Sequence, residues 1–191
     1  MRRGILLHGR NRTPDEMLQL AAKLNVPNIR WVAPAADNGS WYPNRFMEPI
    51  ASNEPFLSRA VERCDELVDE AAGEVVLVGF SQGACLAVEY ALRNPGRCRT
   101  VVVFTGGLIG PERTRWPTPS LAGLRVLITG SDIDEWVPAH RVRETASMLA
   151  GLGANVRLRI YEGRPHVVSD LEIAEARDLI RTGTGAPHLI R

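Results

Sequence analysis

The 191 residues are 45% apolar and 24% charged, with 23 basic against 22 acidic side chains for a formal net charge of +1. That length fits a single domain, 1–191, with one sizeable core. The even charge balance gives no reason to expect nucleic acid or an anionic surface as partner, and no apolar run approaches the roughly 20 residues of a membrane span. Cys64, Cys85 and Cys98 are odd in number and lack metal-ligand spacing. They read as reduced, buried thiols of a cytoplasmic protein. The basic start, Met1-Arg2-Arg3, precedes only Ile5 to Leu7, too short for a signal-peptide core of about 7–15 residues.

In chain order, Gly4 to Leu7 predicts a first buried strand. Thr13-Pro14-Asp15-Glu16 then announces a helix, with Thr13 as cap, Pro14 at the first turn and Glu16 placed for a capping box. Met17, Leu18, Ala21, Ala22 and Leu24 make its apolar face. Ile29 to Ala33 is a second strand. The irregular, aromatic stretch Ala35 to Pro49 leads to a helix from Pro55 to Ala72, with Phe56, Leu57, Ala60, Val61, Cys64, Leu67, Val68 and Ala71 at helical spacing and Gly73 as its stop. Val75 to Val78 is a strand that runs through Gly79-Phe80-Ser81-Gln82-Gly83 into the apolar helix Ala84 to Leu92.

Thr100 to Phe104 is a β-branched strand, and Thr105 to Ser120 a loop rich in Gly and Pro. Val126 to Thr129 is a strand, Gly130 to Val137 a loop, and Pro138 to Leu152 a helix. Val156 to Tyr161 alternates apolar residues with Arg157 and Arg159, the mark of a half-exposed edge strand. Asp170 to Ile180 is a last helix with Leu171, Ala174, Leu179 and Ile180 available to pack; Thr182 to Arg191 is an ambiguous, loose tail. Six strands alternating with helices predict an α/β fold, a mainly parallel sheet with helices on both faces. In such sheets ligands sit at the carboxyl ends of the strands.

Positions 79–83 spell G-x-S-x-G between a strand and a helix, the pattern of a nucleophile elbow. The motif by itself arises by chance in about one chain in fifteen. A serine hydroxyl also needs a base to take its proton and a third group to orient that base. Of the four His, only His166 follows both Ser81 and a late strand, as the order Ser…Asp…His requires. Asp132 and Asp134, past the strand between, are both candidates for the acid. Either could instead cap a turn, as loop Asp commonly does.

His8-Gly9-Arg10 after a strand, Gly-Phe-Ser-Gln-Gly, Gly130-Ser131-Asp132-Ile133-Asp134 running to Val137-Pro138, and a closing His resemble the phospholipase/carboxylesterase family of small α/β-hydrolases, which includes the acyl-protein thioesterases. The similarity runs from Ile5 to about Ile180. It implies a minimal α/β-hydrolase fold, with Ser81 as nucleophile, His166 as base and Asp134, four residues before Pro138, as acid. Asp132 then becomes a turn former. The oxyanion hole implied is the backbone N–H of Arg10 and of Gln82, so Gln82→Ala is expected to retain activity. Two positions depart from the family pattern: Asn11 stands where a second Gly is usual, and His166 follows Pro165 rather than Gly.

The insertion Thr105 to Ser120 is too short and Pro-rich for a helical cap, so no lid domain is expected. The open groove would be walled by Trp41, Tyr42, Phe46, Met47, Leu108, Ile109, Trp136 and Val137, with Cys85 a packing residue. The reading is a serine carboxylesterase for small to medium acyl or aryl esters, acting through an acyl-enzyme on Ser81. Alternatives are an acyl thioesterase or lysophospholipase with the same triad, or a catalytically silent hydrolase fold that binds small molecules. No metal or organic cofactor is expected. The partner is a small-molecule ester, without nucleic acid or integral membrane association; the edge strand with Leu189 and Ile190 permits a homodimer.

Overall fold

A computed structural model describes residues 2–71 and 74–182. Six strands, β1 (Arg2–Leu7), β2 (Ile29–Val32), β3 (Val75–Phe80), β4 (Thr100–Phe104), β5 (Arg125–Ser131) and β6 (Asn155–Tyr161), form one sheet in the order β2-β1-β3-β4-β5-β6. Every adjacent pair is parallel. The predicted sheet is therefore present, and its departure from sequence order is that β2 lies outside β1.

The helices are α1 (Pro14–Leu24), α2 (Phe56–Asp69), α3 (Gln82–Arg93), α4 (Ala139–Gly151) and α5 (Asp170–Thr182). Successive strand residues serve opposite layers. Ile5, Leu7, Leu77, Val101, Val103, Val126 and Ile128 pack with α2, α3 and α4. Leu6, Val76, Val78, Val102, Phe104 and Leu127 pack with α1 and α5. Burial on both faces is why the central strands are unbroken apolar runs.

The helix faces differ in detail from the sequence reading. Thr13 does cap α1, accepting from the Glu16 N–H at 3.3 Å, but the buried face is Met17, Leu20, Ala21 and Leu24 while Leu18 is exposed. In α5 the packing residues are Ile173, Ala176, Leu179 and Ile180, and Leu171 is 68% exposed. The predicted and buried faces share Met17, Ala21 and Leu24 in α1 and Leu179 and Ile180 in α5, and packing against the sheet takes Leu20 and Ile173 in place of Leu18 and Leu171. Phe56, at the start of α2, is likewise exposed. β5 runs two residues beyond its predicted end because Gly130 and Ser131 still pair with β6. Gly73 and the tail beyond Thr182, including Leu189 and Ile190, lie outside the described residues.

Candidate active site

Ser81 is the single residue between β3 and α3, with φ 55° and ψ −117°. A non-glycine residue held at such angles carries strain of order 1–3 kcal/mol and needs support. Its N–H donates to the Phe104 carbonyl at 2.9 Å, and its carbonyl accepts from the N–H groups of Ala84 and Cys85, each at 3.0 Å. The flanking glycines are a steric requirement. A Cβ on Gly79 would lie 2.3 Å from the Gly83 carbonyl oxygen, and one on Gly83 would lie 2.1 Å from that of Leu7. Strand and helix cross so closely that only hydrogen fits between them.

The Ser81 hydroxyl lies 2.9 Å from His166 Nε2. Nδ1 of the same ring lies 2.8 Å from Asp134 Oδ2. Since an ionised carboxylate can only accept, Nδ1 carries the proton and Nε2 is left to accept from the serine. The other oxygen of Asp134 accepts from the N–H groups of Trp136 and Val137, both at 2.9 Å. Burial pushes the Asp134 carboxyl up. The His166 ring and those two N–H groups outweigh it, and the pKa ends below the ordinary aspartate value. Asp132, the other candidate, faces away; its Oδ1 accepts from the Gly163 N–H at 2.8 Å and ties the β5 and β6 loops together.

Arg10 and Gln82 line the same cleft as Ser81, and Gln82, as the first residue of α3, has an N–H with no partner inside the helix. Gln82 opens α3, where the helix end favours negative charge. The turn before Arg10 and Asn11 is held by side chains whose part the sequence did not reveal. His8 is buried; its Nε2 accepts from the Ala36 N–H at 3.0 Å while Nδ1 faces the Gly9 carbonyl at 2.8 Å. Asn11 takes φ 57° and donates its N–H to the Gly39 carbonyl at 2.8 Å, so it fills the left-handed position without a glycine.

Gln82 also acts through its side chain. Its Oε1 accepts from the Trp41 N–H at 3.0 Å, and its Nε2 donates to the Tyr42 carbonyl at 2.8 Å and to Ser40 Oγ at 3.0 Å. The Arg10 guanidinium donates to the carbonyls of Tyr42, Pro43 and Asn44. Arg10 and Gln82 therefore carry the cleft wall on their side chains. No spacing rule could have exposed this, because it joins the loop at residues 40–44 to Arg10 and to the start of α3, each more than thirty residues away.

A cleft of about 750 Å³ opens beside Ser81 and His166. Of the expected wall residues, Tyr42, Phe46, Trp136 and Val137 line it. Trp41, Leu108, Ile109 and Met47 do not. Trp41 is buried, donating its indole N–H to the His8 carbonyl at 2.8 Å. Leu108 and Ile109 are wholly buried because Arg141 of α4, itself 1% exposed, draws their loop inward by donating to the carbonyls of Leu108 and Gly110. Met47 packs against the same core. Cys85 lines the cleft as well as packing the core; burial pushes its thiol up to about 11 despite the Gly107 N–H, which leaves it un-ionised near neutral pH. Among the described residues, no group of three or more His, Cys, Asp and Glu side chains could hold a metal ion, and no helix is long and apolar enough to cross a membrane.

A family model described as phospholipase/carboxylesterase matches residues 4–183. A phospholipase/carboxylesterase structure from Dyadobacter fermentans is 34% identical, covering 94% of this chain and 90% of its own, with a TM-score of 0.88. A carboxylesterase from Mesorhizobium loti (24% identity, 95% and 88% covered, TM-score 0.68) and acyl-protein thioesterase 2 from Zea mays (18%, 96% and 94%, 0.80) share the fold.

Proposed function

Given that the chain belongs to the phospholipase/carboxylesterase family of α/β-hydrolases, we propose that it is a serine carboxylesterase acting on small to medium acyl or aryl esters. The observation that carries this reading is the unbroken line from Ser81 through His166 to Asp134, at 2.9 and 2.8 Å. Ser81 Oγ attacks the ester carbonyl while its proton passes to His166 Nε2. The carbonyl oxygen gains the negative charge and meets the N–H groups of Arg10 and Gln82, each such donor contributing roughly 3 kcal/mol in a dry site. Collapse breaks the bond to the leaving oxygen, which takes the proton from His166 and departs as the alcohol. Water then attacks the acyl-enzyme, giving one proton to His166, and collapse returns that proton to Ser81 as the acid leaves.

The proton must reach the leaving oxygen from His166, so the alcohol lies towards His166 and Trp136. The acyl group turns the other way, towards Tyr42, Phe46 and Cys85. Cys85 follows Ser81 by one helical turn, about 5.4 Å, and Tyr42 is buried beside it. That floor supports short or medium acyl groups over the long chains of the thioesterase or lysophospholipase alternative. Labelling with a serine-directed fluorophosphonate tests the chemistry: the wild type should be labelled and Ser81→Ala should not. An unlabelled wild type would return the chain to the silent-binder reading. Three free, buried thiols support a reducing, cytoplasmic setting.

A further inference from the structure

Resting on the hydrolase reading, we infer that Arg164 is a positioning residue for His166, with Glu172 as its buried counter-charge. The loop between β6 and α5 that presents His166 has no regular structure of its own. Asp134 fixes the ring, and Phe80 packs against it with centroids 5.2 Å apart. Neither holds the backbone that carries the ring.

Arg164 does. Its Nη1 donates to the carbonyls of Pro165 and Val167, the residues on either side of His166. Its Nη2 donates at 2.9 Å to Thr105 Oγ1, at the end of β4, and Thr105 is fixed in turn by its N–H on the Thr129 carbonyl of β5. Nε lies 3.3 Å from Glu172 Oε2. Glu172, on α5, is wholly buried; it accepts from Thr129 Oγ1 at 2.6 Å and from the N–H and hydroxyl of Ser169, both at 2.8 Å. One planar cation thus ties the peptide around the base to Thr105, just past β4, by hydrogen bonds and to Glu172, in the first turn of α5, by charge. The fork geometry is specific to Arg, since an ammonium cannot reach three such acceptors in one plane.

A buried Arg–Glu pair is costly to desolvate and is weak evidence for stability as such. Here Nη1 donates to both peptide carbonyls flanking one histidine, which points to the placement of that histidine. The residue also bears on the departure at Pro165: the base is presented by a clamped segment with Arg164 as its anchor.

The test uses variants that leave no charge buried alone. Arg164→Lys keeps a cation for Glu172 but loses the fork; Thr105→Val is nearly isosteric and removes only the Nη2 bond. With a p-nitrophenyl ester, Arg164→Lys should lower kcat about 10- to 100-fold, as small misplacements of catalytic groups do. KM should stay within about twofold, and Ser81 labelling should slow in parallel. Thr105→Val should move kcat the same way by a smaller factor, and it decides the matter if Arg164→Lys does not fold. If the wild type is labelled and active and the folded variants keep its kcat, the inference is overturned whatever happens to their melting temperature. An unlabelled wild type overturns the hydrolase reading instead, and the clamp with it.

Discussion

Gln82 has two jobs in two halves of one residue. Its backbone N–H is the proposed oxyanion donor, while its side chain pins Trp41, Tyr42 and Ser40. Gln82→Ala keeps the first and loses the second, so the expectation of unchanged activity gives way to a split one. KM should rise roughly tenfold, about the worth of one net hydrogen bond, while a small fluorophosphonate still labels Ser81; an unchanged KM would show the wall stands without it. The two aspartates divide just as sharply. Asp134→Asn would present an amide to Nδ1 and should lower kcat by on the order of 10⁴-fold. Asp132→Asn, which can still accept from Gly163, should leave kcat near the wild type. The reverse ranking would exchange their roles. Asp134 also links stability to pH. Its folded value is lowered, so its contribution is complete above the unfolded aspartate value of about 3.9 and is lost as pH falls below that through the folded value. Asp134→Asn should therefore flatten the acid limb of urea unfolding midpoint against pH, and an unchanged limb would refute this.

At the scale of elements, the junction of β3 and α3 is where the sequence spoke most plainly. G-x-S-x-G was legible because the geometry forbids any Cβ at Gly79 and Gly83, and a steric prohibition leaves a mark on residue type. Gly83→Ala should destabilise the chain by about 3 kcal/mol or more, since the colliding atoms are backbone and cannot turn aside. A urea midpoint close to wild type would mean that the helix can shift. The helix faces were less legible. α1 and α5 each carry more apolar residues than one face can bury, and periodicity alone could not say that Leu20 and Ile173 turn inward while Leu18 and Leu171 face solvent. The cleft wall was hardest to read. Leu108 and Ile109 look like free loop hydrophobes until Arg141, from a helix over thirty residues later, is seen holding their carbonyls.

Across the whole molecule, the cleft exists because the parallel strands β1, β2, β3, β5 and β6 all end at one edge of the sheet and each delivers a loop there, the largest share of the wall coming from the segment after β2. Its floor at Tyr42 and Cys85 predicts that kcat/KM falls from acetyl and butyryl esters to palmitoyl esters; a preference for palmitoyl would favour the thioesterase or lysophospholipase alternative. The choice of Asp134 over Asp132 needed the family resemblance and that of His166 the order of motifs along the chain, but the sequence by itself determined the alternation of strand and helix, the buried sheet and the elbow at Ser81. Local sterics and apolar periodicity write those features directly into residue types. Only the tertiary structure decided which apolar stripe turns inward, which loop residues line the cleft, and that Gln82, Arg141 and Arg164 work through their side chains. Each of those depends on a hydrogen bond or contact between segments distant in sequence, and a carbonyl that accepts such a bond leaves no trace in its own residue's identity.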